Sequence, residues 1–253
     1  MTQESTIEFE SKGFQFKAFY CKPNGTEPNV PKERSSASIK SHILLVHEVH
    51  GLSDKIKDIS RYLAKHGYAV FAPDLWSRTG TPNLPDHNAI LRKLQATPDT
   101  LMLDHIADAK KHMQEKMGVE KIAMFGLGIG GTWAMLFTAR EDQNDLSACL
   151  SLYGTLIREP GQKKTDPIDL IDGIKCPILF ISGALDDSPV VVPKHDVERL
   201  ATVAQKKGKD CRTILLEKAG YAFCNPALKY YNESFCNDSL AQVVRFLDEK
   251  IKL

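Results

Sequence analysis

Residues 122–136 read IAMFGLGIGGTWAML. An apolar run of strand length enters Gly126-Leu127-Gly128-Ile129-Gly130-Gly131 and emerges as a second apolar run, expected to be helical from near Thr132 to Arg140. Small residues crowd a strand-to-helix bend when Cβ atoms would clash there, and the G-x-Nuc-x-G turn that presents a nucleophile has this form. The residue at its centre is Gly128, which has no side chain to attack with. The same stretch, Gly126 to Gly131, also satisfies G-x-G-x-x-G, the spacing of a phosphate-binding loop. That reading asks for a ribose-binding acid about 20 residues on, yet residues 146–151 form the next apolar run and Asp145 is the nearest acid. A third reading is a close packing turn between strand and helix, which needs glycines and no chemistry.

Outward from this turn, strand and helix signals alternate. Upstream, residues 7–9 and 14–20 alternate like an antiparallel hairpin, and 22–40 form a polar, Pro- and Ser-rich loop. HILLVHEVHG (42–51) is a compact apolar run ending in polar groups, as a buried strand does when its C-terminal end serves a site. Residues 54–66 have helical spacing, with Ile56, Ile59 and Leu63 on one side and Gly67 closing the helix. A strand at 68–72 leads to a long loop containing Pro82 and Pro85. Thr97 then reads as a helix cap, with Pro98 in the first helical position and the helix running to about Met117. Downstream, strands at 148–153, 178–182 and 213–217 alternate with helices near 194–206 and 238–250. This order predicts one α/β domain over 1–253, a mostly parallel central sheet with helices on both faces.

Composition narrows the function classes. Lys and Arg number 33 against 32 Asp and Glu, so the charge balance gives no reason to expect nucleic acid or an anionic membrane as partner. No apolar run reaches the ~18 residues of a membrane span, and the polar start has no signal-peptide core, so a cytoplasmic protein is expected. The six cysteines show no CxxC and no metal-finger spacing, and read as reduced thiols; Cys149 lies in a strand and is expected in the core. His47, Glu48 and His50 lack HExxH spacing, and neighbours on a strand point to opposite faces, so neither metal nor cofactor is expected.

Six segments in order, between about Leu44 and Phe246, resemble the dienelactone hydrolase family of α/β-hydrolases: VHEVHGL (46–52), GYAVFAPDLWSR (67–78), FGLGIGG (125–131), SLYG (151–154), SGALDD (182–187) and AGYAFCNP (219–226). The resemblance implies the α/β-hydrolase fold. It also implies a Cys, or Ser in other α/β-hydrolases, that attacks an ester or lactone carbonyl, a His that moves the proton and an Asp that orients the His. Carried over position by position, the nucleophile falls on Gly128, the acid on Asp186 (or Asp187 if the turn is displaced by one residue) and the His on Tyr221. Only the acid is of the family's type. Glu48 matches a pocket Glu that acts on the thiol, and the oxyanion donors would be backbone N–H groups of Ile129 and of the segment after His47. Arg78 matches the arginine of P-D-L-x-x-R, a partner for a substrate carboxylate or a surface group. Asn225 stands where the family has a second arginine, and His50 would line the pocket mouth.

These positions leave three functions to compare. The first is a catalytically impaired hydrolase homologue that binds a small ester- or lactone-like molecule or a partner. The second is a working hydrolase with an atypical route, using water activated by Glu48 or Asp186, or Cys224 as a displaced nucleophile. The third is an interaction protein with a vestigial pocket. Tyr221 is expected as an aromatic filler, because a phenol ordinarily titrates near 10 and is a poor base at neutral pH.

Overall fold

The computed structural model describes residues 2–25, 39–82, 87–140, 142–158, 164–185 and 192–251, without the side chains of residues 87 and 91. Two compact units divide between Ala123 and Met124.

In the first unit, β1 (Thr2–Ser11) and β2 (Phe14–Pro23) form the expected hairpin, longer at both ends than the alternation suggested, from Ser11 opposite Phe14 to Thr2 opposite Pro23. Its two-residue turn, Lys12-Gly13, is left-handed at both positions, the geometry that matches the twist of the flanking strands. β2 pairs antiparallel with β4 (Tyr68–Pro73), which pairs in parallel with β3 (Ser41–Val46), giving the order β1-β2-β4-β3. The crossover between β3 and β4 is α1 (Asp54–Lys65). Ser53 caps it by accepting the Ile56 N–H, and its buried face is Ile56, Ile59 and Leu63, as the spacing predicts.

The stretch after β4 differs from expectation. It contains a helix, α2 (His87–Ala96), where the prolines suggested only a loop. The Thr97 hydroxyl is tied back to the Lys93 carbonyl at 2.7 Å, so it cannot cap the next helix. Pro98 takes the cap position without a side-chain bond, and α3 starts at Asp99 and runs to Met117. α3 lies on the hairpin: the Ser11 hydroxyl donates to Asp108 Oδ2 at 2.7 Å and sits 2.6 Å from His105 Nδ1, with the His105 ring against Phe16.

The second unit begins within β5 (Ile122–Leu127), which runs into α4 (Ile129–Thr138), and β6 (Leu146–Leu152) comes next. A 3₁₀ helix (Pro167–Gly173) precedes β7 (Ile178–Gly183), then α5 (Lys194–Lys206), β8 (Cys211–Leu216) and α6 (Glu233–Lys250). β6 pairs in parallel with β7, and β7 with β8. Met135, Cys149, Ile168, Phe180 and Leu200 belong to one apolar cluster, with Cys149 in the core as expected. α6 starts earlier than the apolar spacing indicated, because the Asn232 side chain caps it by accepting the Phe235 N–H at 3.1 Å.

Candidate functional site

The β5–α4 turn is built by what its residues lack. A Cβ on Gly126 would fall on the Gly130 carbonyl and the Gly131 nitrogen, so the first turn of α4 lies directly on the end of β5. A Cβ on Gly131 would strike the Ser151 hydroxyl, and one on Gly154 would come 2.5 Å from it. Between these contacts Gly128 takes φ +53° and ψ −127°, a conformation that strains any residue with a side chain. Its N–H donates to the Leu152 carbonyl at 2.9 Å, and its own carbonyl accepts the Gly131 and Thr132 N–H groups. α4 therefore begins at Ile129, earlier than Thr132. As first residue of the helix, Ile129 has an N–H with no acceptor inside it, at the end where partial positive charge collects. The bend is complete, and its apex is a hydrogen atom. The stretch where a phosphate loop would need its ribose-binding acid is β6 itself.

The end of β6 connects this turn to the loop after β8. Next to Leu152, Tyr153 has φ +44° and donates its N–H to the Ile181 carbonyl at 2.7 Å. Its buried ring meets Tyr221 edge-on at 5.7 Å and Phe223 at 5.1 Å. Tyr221 is half-buried, and Ala222 after it has φ +55°. Among the described residues the non-glycine positions with positive φ are Lys12, in the hairpin turn, and Tyr153 and Ala222 here. Left-handed backbone in a buried Tyr stores strain, and such strain concentrates at functional sites. No sequence signal marks it, because neither residue is Gly or Asn.

The rest of the loop is held by its own backbone. Asn225 is buried, with its side-chain oxygen accepting the Ala227 N–H at 2.9 Å and its N–H donating to the Ala222 carbonyl. Cys224 is wholly buried. The ring of Tyr230 occupies the space a Cβ on Gly220 would need. Asp186 and Asp187 lie outside the described residues.

The first unit holds the other sequence-derived candidates, at the end of β3. His47 is fully buried, and burial lowers its pKa. Nε2 accepts the Leu75 N–H at 2.9 Å, which leaves the proton on Nδ1 to donate to the Glu48 carbonyl at 2.7 Å. Both ring nitrogens are thus engaged with backbone, which is a structural role for this His. The Trp76 indole donates to the Val49 carbonyl at 3.0 Å and pins the same turn. Glu48 and His50 are nearly buried side chains 3.9 Å apart, and desolvation lowers the His50 pKa. The exposed Arg78 lays its guanidinium over the Phe14 ring at 3.9 Å. Among the described residues no three of His, Cys, Asp or Glu are grouped to hold a metal ion, and no helix is long and apolar enough to cross a membrane.

Known proteins agree with this architecture. A Salmonella typhimurium protein named "Putative carboxymethylenebutenolidase" is 26% identical over 243 residues, covering 93% of this chain and 83% of its own. A Klebsiella pneumoniae structure titled as a "Putative Dienelactone Hydrolase" superposes with TM-score 0.82 at 22% identity over 98% of this chain and 99% of its own. A dienelactone hydrolase-like promiscuous phosphotriesterase from metagenomic libraries gives TM-score 0.78 at 15% identity, over 99% of each chain. At such identities the likeness shows the fold, and it is the mostly parallel α/β-hydrolase fold read from the sequence. The model of the dienelactone hydrolase family matches residues 32–251, and the chain belongs to that family.

Proposed function

We propose that this chain binds a small ester- or lactone-like molecule without turning it over by the covalent route of its family. The observation that carries the reading is Gly128: the bend that would present a nucleophile is formed, and nothing extends from it. Removing a triad member costs roughly 10⁴–10⁶-fold in kcat, and losses within the unit do not add. The ~10³–10⁴-fold over water that survives such a loss comes from backbone donors and binding, the kind of contribution the Ile129 N–H makes. At the His position stands no ordinary proton acceptor. Tyr221 is a phenol in edge contact with Tyr153, and the second unit's one histidine, His195, has a side chain 79% exposed beside Asp196 on α5. Cys224, the displaced-nucleophile candidate, is buried with no histidine near it in the sequence, and a reactive thiol needs such a partner.

A second reading, water activated by Glu48, is favoured by the nearly buried Glu48–His50 pair at 3.9 Å, since paired buried ionisable groups mark functional sites. A cytoplasmic location is part of the proposal, because six free thiols suit a reducing compartment.

The test compares wild type with the Gly128→Cys plus Tyr221→His double variant on p-nitrophenyl esters and lactones. The proposal expects wild type near background and the double variant raised at least about 100-fold. Wild-type turnover that Glu48→Gln abolishes would establish the second reading instead.

A further inference from the structure

We infer that Asn24 is a site of spontaneous covalent modification, its side-chain amide passing through a cyclic imide shared with Gly25 to give aspartate and isoaspartate. The β1–β2 ladder ends with Thr2 opposite Pro23, and Asn24 and Gly25 follow as an exposed turn in which Gly25 has φ +80°. Among the described residues neither the Asn24 side chain nor the Gly25 N–H makes a hydrogen bond. The nucleophile of the reaction is the Gly25 backbone nitrogen, and the atom it attacks is Asn24 Cγ. Their union closes a five-membered ring. A Cβ on the second residue crowds the attacking nitrogen, and glycine has none.

Ring closure forms the bond from the Gly25 nitrogen to Asn24 Cγ and breaks Cγ–Nδ2, and the Gly25 amide proton leaves with the side-chain nitrogen as ammonia. Water then opens the imide. Attack at Cγ breaks the new bond and gives aspartate. Attack at the Asn24 main-chain carbonyl carbon breaks its bond to the Gly25 nitrogen and leaves the chain running through Cγ as isoaspartate. Either product is ionised at neutral pH, which takes the formal net charge from +1 to zero. The sequence contains no second Asn-Gly. Asn225 accepts the Ala227 N–H and is followed by Pro226, which has no N–H to attack with. Asn232 accepts the Phe235 N–H as the cap of α6. Asp172-Gly173 could close the same ring, but the Ala139 carbonyl lies where a Gly173 Cβ would be, and the backbone there is clamped in the 3₁₀ helix.

Purified protein aged at mildly alkaline pH and analysed by peptide mapping, with isoaspartate counted by an isoaspartyl methyltransferase assay, tests this. The peptide containing Asn24 is expected to gain about one mass unit, at least about 10-fold faster than any other asparagine peptide. Gly25→Ala, checked for folding by its thermal midpoint, should slow that gain at least about 10-fold. Asn24→Gln should remove it, because glutamine has to close a larger ring. Since both residues are exposed, Asn24 in native protein should react within about 3-fold of its rate in urea, whereas Asn232 should react faster once urea frees it from its cap. Earlier gain at another asparagine, a rate unchanged by Gly25→Ala, or native protection of Asn24 by about 10-fold or more overturns the inference.

Discussion

The β3–α1 and β5–α4 turns do the same job, ending a buried strand and starting a helix, by opposite means. In the first, side chains hold the backbone: His47 links Leu75 to Glu48, and Trp76 holds Val49. In the second, missing side chains do, with the backbone of α4 resting where a Gly126 Cβ would be and the Ser151 hydroxyl where a Gly131 Cβ would be. The turn richest in polar groups is thus occupied with holding itself together. The turn at Gly128 keeps its shape with no side chain at its centre. A turn held by glycine packing needs no side chain at its centre to keep its shape.

The largest effect is expected where packing is backbone on backbone. Gly126→Ala places a methyl group on the Gly130 carbonyl, which only a shift of α4 relieves. Urea denaturation should show a loss of roughly 4 kcal/mol or more. A loss below about 1 kcal/mol would mean that the turn is not held by this contact.

Acid should separate the two units next. Burial depresses the imidazole of His42 to about 4 and also lowers His47, His50, His105 and His112, all in the first unit. An unfolded imidazole takes its proton near 6.5. The stabilisation is therefore complete above that pH and is lost as pH falls toward 4, while the unfolded chain binds protons the native one refuses. For His42 alone the loss is on the order of 3 kcal/mol. Trp76 reports on the first unit and Trp133, in α4, on the second, and they are the chain's two tryptophans. In single-tryptophan variants the Trp76 signal should change at higher pH than the Trp133 signal. Coincident transitions would contradict the contrast.

The smallest effect is at His47. Gln can replace one of its two backbone bonds but not both in the same geometry, so His47→Gln should cost about 2 kcal/mol in urea denaturation. A neutral result would show that Trp76 alone pins the turn.

Much of this architecture was legible in the chain. Runs such as ILLV at 43–46 and ILFIS at 178–182 are short, apolar and flanked by polar residues, and they are β3 and β7. The Gly128 bend and the aromatic Tyr221 were legible for the same reason: residue type alone dictated them. What was not legible depended on a partner distant in sequence or on a weak local signal. α2 is ten residues long and comes after prolines, so its spacing never repeats enough to outweigh them. Thr97 looks like a cap until the Lys93 carbonyl competes for its hydroxyl. The start of α6 depended on Asn232, whose capping role was hidden by a polar first turn. The left-handed Tyr153 and Ala222 have no sequence signature at all, because tertiary packing imposes them.

The most direct test of the empty apex is a stopped-flow burst experiment with p-nitrophenyl acetate, completed by intact-mass measurement of the protein. A linear release of p-nitrophenolate with no initial burst, and an unmodified mass, is the predicted result. A burst equal to the protein concentration, with an acetyl group mapped to a side chain of the second unit, would contradict it.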